Sequence, residues 1–417
     1  MAILAIGFQS FLLFLALFEP SLRYRVSKPP SSPLDSDMFE RVLATLADSS
    51  LHKATKIDVL TNGENYYEAE LEAIRNAKRS INLEAYIFQK GEVTRRFVEA
   101  LTERARAGVK VNLVLDAIGC FATWNSYFKE LREAGGRVEW YHGFKWHQLP
   151  RLNSRTHREI IVVDCEVAFV GGAGFADHWL ISKPREPRWR DTMCRIQGDA
   201  VSAVQATFVE NWLEATGELL TEDEYFCFNE APCDNITLVV DSSLTSGQST
   251  RARMLFQTLI ASARERIDIT TPYFLPDKGL RRELIRAVQR GVKVTILCPG
   301  KHNDHVLARR ASRRLYGSLL KAGAEIYEYQ PSMIHAKVLV VDSRWSVFGS
   351  TNLDHRSFSI NDEVNVACND LELAAHFQVD FARDLAVSKR MTYRAWRHRP
   401  LIERFTEFWG RILERQQ

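Results

Sequence analysis

The chain of 417 residues repeats itself, and the repeat limits what it can fold into. One copy runs AIRNAKRSINLEAYIF (73–88), VEALTERARAGVKVNLVLD (98–116), KELREAGGRVEWY (129–141) and THREIIVVDCEVAFVGGAGF (156–175). The other runs LIASARERIDITTPYFL (259–275), ELIRAVQRGVKVTILCP (283–299), GSLLKAGAEIYEY (317–329) and IHAKVLVVDSRWSVFGSTNL (334–353). Gly108 matches Gly291, Gly135 matches Gly323 and His157 matches His335, at offsets of 183, 188 and 178 positions. An offset this long means a duplicated domain, not a solenoid of short units. Each copy alternates helix and strand. Leu71–Lys78 is apolar at helical spacing and Ile81–Phe88 alternates as a strand. Phe97–Arg106 is helical and is stopped by Gly108, and Val109–Leu115 is again a strand. Such alternation predicts α/β domains, each with a parallel or mixed sheet faced by helices. Residues 176–250 read as a looser insertion with one helix over Val201–Thr216.

Composition narrows the class. Hydrophobic residues at 46% and charged residues at 26% exclude a disordered, collagenous or polytopic membrane chain. The seven cysteines are dispersed and form no C-x-x-C pair, so neither a zinc cage nor a disulfide framework is expected. Cys227 and Cys233 are the nearest pair and are expected to stay reduced. The net charge of +3 is unevenly placed. From Ser388 to Gln417 there are eight Lys/Arg against three Glu, a tail of +5 on a body of −2. A basic tail points to an anionic partner surface.

Residues 1–18 (MAILAIGFQSFLLFLALF) carry only Gln9 and Ser10 as polar side chains. As a helix they span about 27 Å, near the hydrocarbon thickness of a bilayer. No basic residue precedes the run and no small-residue cleavage site follows it, which favours an uncleaved anchor over a signal peptide. Arg23, Arg25 and Lys28 come after it, so the body is expected on the cytoplasmic side of the cell's inner membrane. The Pro/Ser-rich stretch 27–36 reads as a linker. The expected division is a membrane anchor (1–18), a linker and lead-in helix (19–54), a first domain (55–220), a connector (221–250), a second domain (251–385) and a basic amphipathic tail (386–417). In the tail, Leu401, Phe405, Phe408, Trp409 and Ile412 fall on one helical face with Arg404, Arg411 and Arg415 off it. That pattern suits either a bilayer interface or packing on the domain.

The chemistry concentrates in His335-Ala336-Lys337, Asp342 and Gly349-Ser350-Thr351-Asn352. In an extended segment, residues i and i+2 share a face, so His335 and Lys337 point the same way. Histidine can act as nucleophile or general acid near neutral pH. Lysine supplies a point charge for phosphate. Gly349 and Ser350 permit close backbone approach, and Asn352 offers amide donors. These are parts for phosphoryl transfer without a metal or other cofactor. A lone H-x-K is weak evidence, but His157, Asp164 and Gly171-Gly172 repeat the layout with the same internal spacings.

On these residues the chain resembles the phospholipase D superfamily, over roughly residues 55–415. Within it the chain looks most like bacterial cardiolipin synthases, on Trp189-Arg190-Asp191-Thr192, on TPYFLP (271–276), and on Asn352-Leu353-Asp354-His355-Arg356-Ser357-Phe358 with Asn361 and Glu363. The resemblance implies two α/β/α sandwich domains related by a pseudo-twofold axis, following the N-terminal hydrophobic helix. It implies that His157 and His335 meet at one site with Asp164, Lys337 and Asp342. One histidine would form a phosphohistidine while the other protonates the leaving alcohol. Supporting roles fall to Ser350, Asn352, Glu363, which follows His335, and Asp191, which follows His157. Each carboxylate could fix a histidine tautomer. Asp164 and Asp342, at strand ends, could equally be structural.

Two departures stand out. Glu159 replaces the family lysine of the first motif, and Gly174 stands where the second half has Asn352. Arg155 shares the face of His157 and could supply charge. The site is expected to be asymmetric but active; a silent first half and a proton-transferring Glu159 remain open. On the first of these readings a lysine restored at 159 should be tolerated. The implied activity is phosphatidyl transfer between two phosphatidylglycerol molecules, giving cardiolipin and glycerol. Alternatives are a phospholipase D-type hydrolase of lipid or nucleic acid, and a silent lipid-binding scaffold. The expected partners are anionic phospholipid and the membrane surface, and no nucleic acid.

Overall fold

The structure is a computed structural model, which describes residues 24–143, 153–184, 186–227, 235–243 and 250–400, with Gly7, Ala231 and Cys233 as single positions. The expected anchor, Gly7 apart, and the distal tail 401–417 lie outside the described residues. Among the described residues no helix is long and apolar enough to cross a membrane.

The strands in chain order are β1 (His52–Lys53), β2 (Thr55–Thr61), β3 (Ser80–Ala85), β4 (Lys110–Asp116), β5 (Arg137–Tyr141), β6 (Ile160–Val163), β7 (Val167–Gly171) and β8 (Thr192–Gly198). They continue with β9 (Ile236–Ser242), β10 (Arg266–Thr270), β11 (Lys293–Pro299), β12 (Glu325–Tyr329), β13 (Val338–Val341), β14 (Trp345–Gly349), β15 (Glu363–Asn369) and β16 (Ser388–Met391). The first sheet has the order β2-β8-β7-β6-β3-β4-β5. The second has β9-β15-β14-β13-β10-β11-β12 in the same relation, extended by β1 at one edge and β16 at the other. In both, the first three strands of the repeat pair in parallel and the hairpin that follows is antiparallel. The duplicated α/β fold inferred from the repeat is therefore present as two sheets of matching topology.

Local chemistry explains the boundaries. Asp277 caps the helix Lys278–Gln289 by accepting from Leu280 N at 2.9 Å, and Asp370 caps Leu371–Ala386 by accepting from Glu372 and Leu373 N. Gly108 and Gly291, matched in the repeat, have φ of +89° and +92° where a helix hands over to β4 and β11. Only glycine takes that conformation without strain, so the same turn recurs in both halves.

The helices Gly63–Asn76 and Glu92–Arg106 cover the outer face of the first sheet, and Arg251–Ser262, Lys278–Gln289 and Val306–Ala322 cover that of the second. The inner faces pack together. Val162, Val170 and Ile196 meet Val340, Phe348, Val364 and Val366, with Phe377 from the helix Leu371–Ala386, in one apolar cluster. Truncating Phe348 there should cost about 3–5 kcal/mol. This shared core fixes the two halves against each other, which the site requires.

Three segments differ from the sequence reading. The supposed insertion 176–250 supplies β8 to the first sheet, the helix Ala200–Thr216, and β9 to the second. Its apolar spacing is weak because its elements are buried on both faces. The lead-in helix Asp37–Ala47 packs on the second half: Phe39, Leu43 and Ala47 are fully buried there, with Phe39 edge-on to Trp345. The basic stretch after residue 385 begins inside the second domain, with β16 antiparallel to β12 and the Trp396 indole donating to Arg313 O at 2.7 Å.

Candidate active site

The C-terminal ends of β3 and β10 carry Tyr86-Ile87 and Tyr273 to one end of the sheets, where segments 155–159 and 333–337 arrive just ahead of β6 and β13. Two short backbone bridges then cross between the halves. His157 N donates to Asp362 O at 2.9 Å, and Asp362 N donates to Arg155 O at 2.9 Å. Arg190 N donates to Met333 O at 2.8 Å, and His335 N donates to Arg190 O at 2.7 Å. Each histidine is thus fixed beside the segment bearing the other half's carboxylate.

The side chains follow. His335 Nδ1 lies 2.9 Å from Asp191 Oδ2, and His157 Nδ1 lies 3.2 Å from Glu363 Oε2. Within its own half each carboxylate follows one histidine in sequence, but in space it pairs with the histidine of the other half. Asp191 is further held by the Trp179 indole at 3.0 Å and Thr192 N at 2.8 Å. Glu363 also accepts from the Ser350 hydroxyl, while its Oε1 has no hydrogen-bond partner. Burial pushes the Asp191 carboxyl up, but the hydrogen bond and charge of His335 and the charge of Lys337 outweigh it, so Asp191 stays ionised. Burial, then the Lys337 cation, hold the His335 proton affinity below its usual value against the opposing pull of Asp191. Its neutral form, with Nδ1–H donated to Asp191, puts the lone pair on Nε2, which the Lys337 ammonium approaches to 3.1 Å.

Both imidazoles line one cleft of about 440 Å³, together with Tyr86, Tyr273, Arg155, Asn352, Asp354 and Arg356. Lys337 is buried beneath it, with Nζ 2.9 and 3.1 Å from the His335 ring nitrogens. Burial lowers its proton affinity, and Asp191, Glu363 and Glu159 oppose that. Asn352 is buried, lines the cleft, and its Oδ1 has no partner. Arg155 also faces the cleft, but its guanidinium is tied to Asp116 at 3.5 Å and to the His142 carbonyl.

Asp164 and Asp342 do not line the cleft. Asp164 accepts from Lys78, Arg79 and Ser80 N, and Asp342 accepts from Arg264, Glu265 and Arg266 N, at 2.7–2.9 Å. Both have φ near +52°, which aspartate tolerates in a turn. Each clamps the β6–β7 or β13–β14 hairpin to the start of β3 or β10, at the end away from the histidines. Of the two roles the sequence left open, the structural one fits: both lie away from the cleft and apart from the histidines with which the resemblance groups them as catalytic.

Glu159 is likewise a brace. It is 4% exposed and its Oε1 accepts from Tyr86 N and Ile87 N at 3.2 Å each. Burial raises its carboxyl well above the ordinary range despite those two bonds and the Lys337 charge. A Cβ on Gly174 would lie 2.9 Å from Glu159 Oε1 and 2.8 Å from Ile87 O. The two departures of the first motif are therefore one adjustment, because the missing side chain at 174 makes room for Glu159. A similar fit recurs at Gly172, where a Cβ would lie 2.9 Å from Lys337 Cδ and Nζ. The serine position of the first half is left empty for the lysine of the second. A lysine at 159 would lose both backbone bonds and bury a second cation near Lys337, so the geometry favours Glu159→Lys being destabilising rather than tolerated.

The family model described as cardiolipin synthase, phospholipase D-like domain, matches twice, at residues 71–208 and 256–385. The chain belongs to this family. The major cardiolipin synthase of Bacillus subtilis (strain 168) is 36% identical over 359 residues, covering 86% of this chain and 74% of that protein. A cardiolipin synthase of Geobacillus kaustophilus is 33% identical over 402 residues, covering 95% and 78%. Among solved structures, the phosphatidylserine synthase of Haemophilus influenzae matches with a TM-score of 0.67 over 91% of this chain and all of that one. At 14% identity that match speaks for the fold alone.

Several residues in or around the cleft were given no role by the sequence reading, although Trp189, Tyr273 and Asp354 stand in its motifs. Trp179 holds Asp191, and with Trp189 it flanks the His335 ring, with centroids at 5.7 and 5.5 Å. Tyr86 lies edge-on to His157 at 5.1 Å. Tyr273, inside a quoted motif, donates its hydroxyl to Asp304. His178, next to Trp189, is pushed down to about 4 by burial and by His335. Asp354 is pushed up to about 6 by burial. Aromatic residues in loops have no periodicity that would mark them as site residues.

Proposed function

We propose that the protein is a cardiolipin synthase, a phosphatidyltransferase that joins two phosphatidylglycerol molecules and releases glycerol. The observation that carries this reading is the pair of imidazoles from separate halves in one cleft, each held by a carboxylate of the opposite half. In the first step Nε2 of one histidine attacks the phosphorus of the donor, forming an N–P bond as the P–O bond to glycerol breaks. The other histidine, as imidazolium, gives its proton to the departing oxygen. In the second step that histidine takes the proton of the acceptor's hydroxyl, the new oxygen attacks phosphorus, and the N–P bond breaks. The carboxylates fix the tautomers and favour whichever imidazole is charged. Lys337 supplies charge, and the NH2 of the cleft-lining Asn352 amide a donor, for the phosphoryl oxygens. A phosphodiester is exchanged for a phosphodiester, so no external energy source is required.

Lipid substrates place the protein at a membrane, and we assign it to the cytoplasmic membrane with its body inside, on the anchor and charge pattern of residues 1–28. The test is to incubate the purified full chain with phosphatidylglycerol vesicles and identify the products by mass. Cardiolipin with an equal amount of glycerol is expected. Phosphatidic acid as the main product would mean that water is the acceptor, and no turnover would sink the assignment.

A further inference from the structure

The mouth of the cleft has two lips at matching places in the repeat. The first is the loop after β4, where Phe121 is 72% exposed, Trp124 77% and Ile118 39%. The second follows β11 and opens the helix Val306–Ala322, where Val306 is 53% and Leu307 41% exposed. Ile118 lines the cleft from one side, and His305 and Ala308 line it from the other. An indole three-quarters in water is costly for a soluble surface, and Trp is favoured where one side is apolar and the other wet. Exposed Lys301 stands in the segment that leads from β11 into the second lip, and exposed Lys90 in the segment after β3, whose Phe88 carbonyl accepts from Thr123 Oγ1 of the first lip at 2.6 Å.

A separate observation bears on what covers them. Tyr24 reaches the same end of the molecule. The Arg253 guanidinium lies over its ring at 4.4 Å and over the Phe358 ring at 4.9 Å, beside the cleft residues Arg356 and Ser357. The Tyr24 carbonyl abuts Gly279 in the first turn of the helix that follows Leu275, itself a cleft residue. The apolar run 1–18 ends six residues earlier. The chain therefore enters the body on the face that carries the lips.

We propose that Ile118, Phe121 and Trp124 on one lip and Val306 and Leu307 on the other dock the cleft mouth onto an anionic phospholipid bilayer. The lips enter the interfacial layer while the headgroup rises into the cleft and its acyl chains stay in the membrane. The two lips straddle the mouth, so both flank the same lipid. This rests on the lipid-substrate reading but can be tested apart from it.

The full chain is bound to phosphatidylglycerol vesicles containing a phospholipid with a photoactivatable diazirine high on its acyl chain. Adducts are then mapped by mass spectrometry. They are expected on 118–124 and on 306–307, and not around Leu371, which is 56% exposed at the opposite end of the sheets. Absence from either lip, or equal labelling at Leu371, overturns the proposal. The double variant Phe121→Ser/Trp124→Ser should transfer at least about tenfold more slowly on vesicles, since it loses most of one lip's apolar area. With a short-chain phosphatidylglycerol dissolved below its micelle concentration it should match the parent. Equal loss on both substrates, or no loss on vesicles, overturns docking. A parent chain inactive on both would instead count against the function, and the labelling would still decide the docking.

Discussion

The two half-sites share a scaffold and differ in chemistry. Asp164 and Asp342 clamp equivalent hairpins, Gly108 and Gly291 make equivalent turns, and both histidines meet a carboxylate across the pseudo-twofold. Yet the second half supplies Lys337, Ser350 and Asn352 where the first has Glu159, Gly172 and Gly174. These differences interlock: Gly172 admits Lys337, and Gly174 admits Glu159. After duplication, the positions that build the sheet are kept equal by folding, while those at the shared cleft fill a single volume and are free to divide the labour. Departure from a repeat motif is then not evidence of decay.

The largest effect should come from the histidines. His157→Ala and His335→Ala should each lose at least about 10²–10⁴-fold in cardiolipin formation, because every step uses both. Double-mutant cycles sharpen the crossing. In fold-stability measurements His157 should couple to Glu363 and His335 to Asp191 by about 0.5–3 kcal/mol, and the sequential pairs should couple weakly. Strong coupling of His335 to Glu363 would break the crossed arrangement.

Next is Glu159. Glu159→Gln keeps an acceptor for Tyr86 and Ile87 N and mimics the protonated form that burial favours, so turnover should stay within a few-fold of the parent. Glu159→Lys should destabilise by at least about 2 kcal/mol, through two unpaired buried N–H groups and an added buried cation. Thermal denaturation and transfer assays on both variants decide it. If the lysine variant is as stable as the parent, the brace is wrong.

A smaller effect concerns pH. Burial and Lys337 oppose the His335 imidazolium, so this group takes its proton only below the ordinary value of 6.5. The unfolded chain takes that proton as pH falls through 6.5, so the group costs stability below that point and not above it. Lys337→Met removes the neighbouring cation and should move the His335 titration upward, as read by NMR of the ring nitrogens. No movement would mean that burial alone sets it.

The smallest catalytic effect should follow Asp164→Asn and Asp342→Asn. Each weakens three charge-assisted bonds to backbone N–H and should cost about 1–3 kcal/mol of stability, with little change in kcat of the folded enzyme. The two losses should match. A selective loss of kcat in one would break the equivalence of the clamps.

The sequence by itself determined the duplication, the alternation of helix and strand, and the two histidines with Lys337. Those signals are local or periodic: glycine turns, apolar spacing, and residues two apart on an extended segment. Tertiary structure decided which carboxylate serves which histidine, because the bridges His157–Asp362 and His335–Arg190 join segments 205 and 145 positions apart, close to the length of a whole repeat. It decided that 176–250 is divided between both sheets, and that the helix Asp37–Ala47 belongs to the second half. It also decided that Asp164, Asp342 and Glu159 accept from backbone N–H groups. A carboxylate in a motif looks the same in sequence whether it faces a cleft or a row of N–H groups; only packing sets its direction, and its direction sets its chemistry.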